Sequence, residues 1–422
     1  MGYVFTLLVV LLPVLGQVAL PFEIPFVTEN ISLGVLLLLP FLVVYLCDKW
    51  PVKGISALRP VGLGGTAAFF VAFSVIAILG VSFFDGNLPA LIGYLLPIML
   101  LPILILSARG NFRVSYGMTA YIFFAFSFSI YLIWQYVLLK NGYGYMTDGF
   151  LSASYIFKDA VIDRFTDTGN PASFFLSPNG FALYVLPALA YLLLWNRNGY
   201  RAFSFIGGFV ISVAIFLSTS SVGIVLALGI WIVYLILPTV YFLLHPADAV
   251  YRFLHGGAPR IILTVVTFVI CTTLISLYLI DGSAKAVLVP AFGSVFGAQG
   301  VMSGFSALSQ LLVGRRKLLF GVGFGNLDQA FAAIGESVPA LSMVGELLLT
   351  FGLLGFGVFA LLLAGLLFRA RGKFGFSMSV LLILLSTVSS YTFVPIFAFW
   401  FFLTYSVGKT EMPFRRYMRV EY

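Results

Sequence analysis

The chain has 422 residues, of which 61% are hydrophobic and 9% are charged, and its formal net charge is +8. A soluble domain cannot bury so much apolar surface, so this composition excludes a soluble globular protein and predicts a multi-span membrane protein. The apolar runs carry no alternating strand pattern, and we therefore expect α-helices to span the membrane.

The apolar runs predict about twelve transmembrane helices in one all-α transmembrane domain that covers residues 1–422. Each run is close to the roughly 20 residues that a hydrocarbon core about 30 Å thick requires. The first run lacks a basic start and a small-residue cleavage site, so we expect a retained span. The predicted spans lie at about 3–20, 31–47, 65–84, 88–107, 118–139, 179–196, 203–218, 222–245, 261–280, 342–368, 374–388 and 392–408.

The distribution of charge gives the predicted orientation. With the N-terminus in the cytoplasm, every connection on the cytoplasmic side carries Lys or Arg, and so does the C-terminal tail. Most acidic residues fall on the opposite side or in a span. The positive-inside rule then places both termini in the cytoplasm. The basic charge is thus an anchoring signal, and no nucleic-acid partner is predicted.

Two outer connections are much longer than the others, at about 140–178 and 281–341. Long ordered loops on one face of a scaffold commonly carry function. The second contains "LLVGRRKLLFGVGFGN", in which Arg315, Arg316 and Lys317 (the cationic triplet) stand side by side. Anchoring cannot explain the triplet, because it lies on the outer side of the predicted membrane.

The first outer loop carries Asp163 and Arg164, and then the helix-breaking sequence "SPNG". Arg164 has two interpretations: an ion pair with Asp163 or Asp167, or a bidentate contact to the phosphate oxygens of a ligand. The simplest interpretation of Pro178 and Asn179 is the start of a helix. Asn179 is also a candidate for positioning the loop.

The second outer loop predicts a short amphipathic helix, with Phe305, Leu308 and Leu312 on one face, that ends in the cationic triplet. The cations there either complement the helix dipole and reach lipid headgroups, or attract an anionic lipid-linked headgroup. The glycines after the triplet allow tight turns or a close approach of backbone to a ligand. The candidate loop-positioning residues are Gly321, Gly323, Gly325 and Asn326.

Carboxylates near these loops are the candidate catalytic groups. Glu346 falls a short way into the tenth predicted span, where an ionisable group is costly and is typical of a functional site. It serves either as a general base or as a partner that holds a loop arginine down. Glu336 and Asp163 are the other candidates. No cysteine and histidine cluster has metal-ligand spacing, so neither a metal nor a cofactor is predicted.

Three stretches between about residues 118 and 368 carry a resemblance to a known family. They read "RFTDTGNPASFFLSPNGFALY", "FLSTSSVGIVLALGI", and "LLFGVGFGN" followed by "SMVGELLLTFGLLGF". In their order, spacing and topology they resemble the O-antigen polymerase and ligase superfamily, which comprises the Wzy-type polymerases and their ligase relatives. In that family an external arginine precedes a Pro-Asn and a new span, and a glycine-rich loop precedes a span with a Gly-Leu-Leu-Gly turn.

The resemblance implies an inverting, metal-independent glycosyltransferase of the membrane-embedded C type (GT-C). Such enzymes join oligosaccharides carried on undecaprenyl pyrophosphate, as donor and acceptor, at the periplasmic face of the bacterial inner membrane. The implied activity is polymerisation of O-antigen or a related surface polysaccharide. The resemblance implies pyrophosphate contacts for Arg164, Arg315 and Arg316, and the adjacent Lys317 is a further candidate for this contact. The lipid bilayer and a membrane protein that regulates chain length are the other expected partners.

The sequence departs from the family in two places. Ligases generally carry a histidine near the start of the span after the second loop, but "ESVPALSMVGE" has none, which favours a polymerase over a ligase. The Ser-Arg pair of the family is replaced by "STSSVG", so one anion contact is missing. The alternative from another class is a transporter, such as a flippase for lipid-linked oligosaccharides. The unexplained charges lie in outer loops and not at mid-membrane, which favours the enzyme.

Overall fold

The computed structural model describes residues 2–16, 33–53, 63–83, 91, 112–141, 171–175, 177–195, 201–244, 311–312, 315–335, 341–369, 379–385 and 395–409. These residues are mostly helical and contain no strand. In chain order their helices are α1 (Gly2–Leu15), α2 (Leu33–Lys53), α3 (Leu63–Phe83), α4 (Val114–Lys140), α5 (Pro178–Ala190), α6 (Arg201–Leu217), α7 (Ser221–Leu244), α8 (Arg315–Phe320), α9 (Leu327–Ala333), α10 (Met343–Arg369) and α11 (Pro395–Lys409). Residues 379–385 are also helical.

Most predicted spans coincide with helices to within a few residues. The predictions at 118–139, 203–218, 222–245 and 342–368 match α4, α6, α7 and α10. The prediction at 179–196 matches α5 together with the π-helical turn Tyr191–Trp195 that continues it. The predicted span at 261–280 and nearly all of that at 88–107 lie outside the described residues. The helical fold class is confirmed where the chain is described, and the count of twelve stays a prediction.

Two helices, Val114–Lys140 and Met343–Phe368, are long and apolar enough to cross a membrane, by length and composition. Both present large apolar side chains outward: Phe123 on the first is 64% exposed, and Leu361 on the second is 73% exposed. Apolar side chains that face outward from an apolar helix are favourable where lipid, and not water, covers them. These features indicate association with a membrane.

Arg113 joins the starts of α1 and α4. Its guanidinium donates to Tyr3 Oη at 2.6 Å and lies 4.1 Å from the centroid of the same ring. Its backbone N–H donates to Thr6 Oγ1 at 3.1 Å. Because Tyr3 is the second residue of α1 and Arg113 directly precedes α4, these two helices begin at the same end of the bundle. The predicted alternation of spans expects this, while the side of the membrane stays a prediction.

Helix α5 lies in the core, and one of its carbonyls depends on a tryptophan from another helix. Pro187 has no backbone N–H, so the carbonyl of Leu183 loses the donor that a regular helix supplies four residues on. The indole Nε1 of Trp400 in α11 donates to that carbonyl at 2.9 Å. Tyr184 extends the junction by donating from Oη to the carbonyl of Val10 in α1 at 3.1 Å. These bonds tie α5 to the first and the last helix that the structure describes.

Candidate functional site

The cationic triplet begins the short helix α8, whereas the sequence predicts that the triplet ends the preceding amphipathic helix. Leu312 lies in a turn, and α8 starts at Arg315. A helix start disfavours positive charge, so the triplet does not complement the dipole of α8 itself. Leu311 is helical, but residues 301–310 lie outside the described residues, so the effect of the triplet on the dipole of a preceding helix stays a prediction. Arg315, Arg316 and Lys317 are all exposed. Their charge is therefore available to a ligand or to solvent.

Three glycines after α8 turn the chain back on itself. Gly321, Gly323 and Gly325 have φ values of 77°, 86° and 84°, which L-residues rarely adopt. The first two are buried and the third is exposed. Asn326 closes the loop, since its Nδ2 donates to the carbonyl of Val322 at 3.2 Å. The tight-turn interpretation of this segment, Gly321–Asn326 (the glycine loop), is confirmed.

Helix α10 is interrupted where the glycine loop meets it. Gly352 has φ 66° and ψ −167°, which are not helical angles. In a continuous helix each carbonyl accepts from the N–H four residues on, so this break frees the carbonyls of Leu349 and Thr350. The glycine loop supplies the missing donors: Val322 N–H donates to Leu349 O at 2.8 Å, and Gly323 N–H donates to Thr350 O at 3.2 Å. The two carbonyl groups that the break exposes therefore both accept hydrogen bonds from the glycine loop.

The two backbones approach too closely for side chains between them. A Cβ atom on Gly321 would lie 2.5 Å from the carbonyl oxygens of Leu349 and Thr350, and one on Gly352 would lie 2.5 Å from the nitrogen of Gly321. Contacts this short to backbone atoms do not occur for real Cβ atoms. Glycine at 321 and 352 is therefore required by both backbone conformation and space.

Aromatic rings and helix α3 cover this contact. Phe351, next to the break, meets Phe73 of α3 with ring centroids 4.8 Å apart and is stacked with Phe324 of the glycine loop at 6.2 Å. A Cβ on Gly80 of α3 would lie 3.4 Å from the carbonyl oxygen of Phe320, the last residue of α8. The first residues of the glycine loop thus pack against α10 with α3 beside them, while the triplet at the other end of α8 stays exposed.

Glu346 lies in the first turn of α10 and is half-buried. Ser342 caps this helix: its Oγ accepts from the N–H of Gly345 at 3.1 Å, and its carbonyl accepts from the N–H of Glu346 at 2.8 Å. Glu346 precedes Leu349 by three residues, or about 4.5 Å along a helix axis. A carboxylate in a first turn also interacts favourably with the helix dipole. The structure therefore brings Glu346 within one turn of the residues that hold the glycine loop.

Asn179 belongs to a different junction. Pro178 and Asn179 begin α5, as the sequence predicts, and Ser177 caps the helix. The Oδ1 of Asn179 accepts from Ser220 Oγ at 2.6 Å, and the same Oγ accepts from the N–H of Gly223 at 3.1 Å. This bond joins the first two stretches of the family resemblance. The bond to Ser220 gives Asn179 a structural role between α5 and α7.

Sequence reasoning missed a clamp that holds the end of the first outer loop. Ser173 is buried at φ 57°, an uncommon angle for a residue other than glycine. The side chain of Gln135 in α4 accepts from Ser173 N–H at 2.9 Å and donates to Ser173 O at 3.3 Å. Ser173 Oγ also donates to the carbonyl of Phe128 at 3.0 Å. A glutamine inside an otherwise apolar span was the available signal.

Three predicted site residues, Asp163, Arg164 and Glu336, lie outside the described residues. The contact of Arg164 with a carboxylate or a ligand stays a prediction, as do the roles of the two acids. Within the described ranges no three His, Cys, Asp or Glu side chains cluster as a metal site would require. The metal-independent character of the site is likewise a prediction from the sequence.

No protein-family model matches the chain, and no curated protein matches it in sequence. The resemblance to the O-antigen polymerase and ligase superfamily therefore rests on the three quoted stretches.

Proposed function

We propose that the protein polymerises undecaprenyl-pyrophosphate-linked oligosaccharide repeats into O-antigen or a related surface polysaccharide. It acts at the periplasmic face of the inner membrane as a multi-pass GT-C glycosyltransferase with about twelve spans, by metal-independent inverting transfer. One observation carries the proposal: three exposed adjacent cations lie on a helix that is fixed to α10 through the glycine loop. The family resemblance supplies the substrate class.

In the proposed reaction, a hydroxyl oxygen of the acceptor sugar attacks the anomeric carbon of the donor, opposite the pyrophosphate. The bond from that carbon to the pyrophosphate oxygen breaks, the configuration inverts, and the leaving group takes the electron pair. Guanidinium groups held in place stabilise the growing negative charge, and their forked donors match phosphate oxygens. Arg315, Arg316 and Lys317 take this role together with Arg164.

The proton of the attacking hydroxyl passes to a carboxylate that acts as general base. Glu346, Glu336 and Asp163 are the candidates. Glu346 is supported by its half-buried position one turn from Leu349, whose carbonyl holds the glycine loop. A partly desolvated carboxylate is well placed to accept a proton without exchanging it with bulk water.

Polymerisation by the purified protein tests the proposal. The protein in lipid nanodiscs is given undecaprenyl-pyrophosphate oligosaccharide from the source strain, with chelator present, and the products are separated on a gel. We expect a ladder that is lost in Arg315→Ala and weakened in Arg315→Lys, because a point charge lacks the bidentate fork. Arg113→Ala is the control, since Arg113 is also exposed but pairs with Tyr3. Transfer of one preformed chain to a lipid A core, without a ladder, would identify a ligase.

A flippase for lipid-linked oligosaccharides is the second candidate, because broken helices are typical of transporters and α10 is interrupted at Gly352. In transporters such breaks line a polar cavity. Here the carbonyls of Leu349 and Thr350 accept N–H groups from the glycine loop instead, which favours the enzyme. Movement of the lipid-linked sugar between leaflets, with no change in glycan length, would contradict the polymerase.

A further inference from the structure

We propose that Gly321 and Gly352 form a backbone lock that positions the cationic helix α8, and that anion binding by the triplet depends on this lock. The lock consists of these two glycines and the two hydrogen bonds from the glycine loop to α10. Both glycines are positioning residues. The inference rests on the proposed function only for the identity of the anion, which is pyrophosphate.

The short helix α8 meets α10 at its C-terminal end, where a Cβ atom on Gly352 would lie 2.4 Å from the carbonyl oxygen of Leu319. It contains six residues, and none of them is buried. Isolated helices shorter than about 12–15 residues are marginal in water, so α8 does not hold its shape or place by propensity. Leu318 and Leu319 are exposed as well, so the side chains of these two residues do not anchor the helix. The position of α8 is therefore fixed at its C-terminal end, by the contact of Leu319 with Gly352 and by the glycine loop that follows.

The glycine loop provides that fixation, because its bonds are directional and buried. The N–H groups of Val322 and Gly323 point to the carbonyls of Leu349 and Thr350, which the break in α10 leaves without helical donors. A buried carbonyl without a donor is costly, so each side of the contact requires the other. The glycine loop is thus held at one position along α10, and α8, which directly precedes the loop, is held with it.

The close approach is possible only because both segments carry glycine at the point of contact. Gly321 excludes a side chain at φ 77°, and Gly352 excludes one at φ 66°. A methyl group on Gly352 would push the nitrogen of Gly321 away and break the register. The cations of α8, which precede Gly321 by four to six residues, would then lose their fixed position. Preorganised donors bind an anion better than mobile ones, so affinity should fall.

Amide hydrogen exchange at residue resolution on the full-length protein in nanodiscs tests the lock directly. In the wild type, the amides of Val322 and Gly323 should exchange slowly and the amide of the exposed Gly325 rapidly. Gly352→Ala should accelerate exchange at Val322 and Gly323. Gly357→Ala is the matched control, because it lies in the same helix and its added Cβ meets no atom within 4 Å.

Binding of inorganic pyrophosphate to the same samples tests the consequence for the triplet. We expect Gly352→Ala to raise the dissociation constant by about tenfold or more, and Gly357→Ala to leave it unchanged. Slow exchange at Val322 and Gly323 that survives Gly352→Ala would overturn the lock, as would wild-type amides as fast as Gly325. Faster exchange with unchanged affinity would overturn the positioning role.

The lock and the proposed function fail in different ways. If the wild-type protein shows the expected exchange pattern but binds no pyrophosphate, the lock is supported and the assignment of pyrophosphate as the anion is wrong. If Gly352→Ala does not fold, the lock is still tested in the wild type by comparing the amide exchange rates of Val322 and Gly325. A double variant with Gly321→Ala adds a further check, because two changes at one shared contact should be strongly non-additive.

Discussion

The side-chain oxygen of Asn179 accepts a hydrogen bond of 2.6 Å from Ser220 Oγ, although the two residues are 41 positions apart in the chain. This bond places the start of α5 against the turn between α6 and α7. Ser220 also caps α7 by accepting from Gly223 N–H. This small polar junction therefore fixes the starts of α5 and α7 relative to each other. Apolar packing alone would not determine that alignment.

Asn179→Ala should lower the free energy of unfolding by about 1 kcal/mol, the usual contribution of one hydrogen bond. The measurement is denaturant titration of the protein in mild detergent. Asn141→Ala is the control, since the Nδ2 of Asn141 donates to a carbonyl at an exposed helix end. A loss in Asn179→Ala no larger than in the control would contradict the junction. In a double-mutant cycle with Ser220→Ala the two losses should not add.

Trp400→Phe should destabilise the protein by about 2 kcal/mol, because it leaves the buried carbonyl of Leu183 without a donor. The cause can be isolated with Pro187→Ala, which restores the helical N–H that this carbonyl lacks. In the Pro187→Ala background, Trp400→Phe should cost much less. Equal costs in both backgrounds would mean that Trp400 stabilises the core through its ring and not through Nε1.

Gln135→Leu should cost about 3 kcal/mol, since it leaves both backbone groups of buried Ser173 without partners. The matched control is Gln329→Leu, because Gln329 is exposed on α9. Unfolding by denaturant measures both variants. Proteolysis adds a local readout, because the segment before Pro178 should be cleaved faster in Gln135→Leu. Equal stability of the two variants would count against the clamp.

The helices could be predicted from the sequence because their signals are local. Continuous apolar runs fix α4, α6 and α7 to within a few residues. The start of α5 at Pro178 is explained by a serine cap and the proline preference for a first turn. These signals depend on the residues of the helix itself, so the fold of the other segments does not alter them.

The break in α10 could not be predicted from the sequence of that helix, because it depends on a contact with a distant segment. Gly352 stands in an apolar run with helical spacing, and a single glycine there costs only about 1 kcal/mol. Its non-helical angles are stabilised by Val322 and Gly323. Ser173 at φ 57° depends in the same way on Gln135.

Glu346→Gln separates the two interpretations of the carboxylate. If Glu346 is the general base, the polymerisation rate should fall by about 10²–10⁴-fold, while the affinity for inorganic pyrophosphate stays unchanged. If Glu346 instead pairs with an arginine of the second outer loop and holds that loop in place, the affinity for inorganic pyrophosphate should fall together with the rate. Amide hydrogen exchange at Val322 should then accelerate. Asp328→Asn is the control, because Asp328 is an exposed acid in the first turn of α9. A variant with the wild-type rate would exclude Glu346 as the base and leave Glu336 and Asp163.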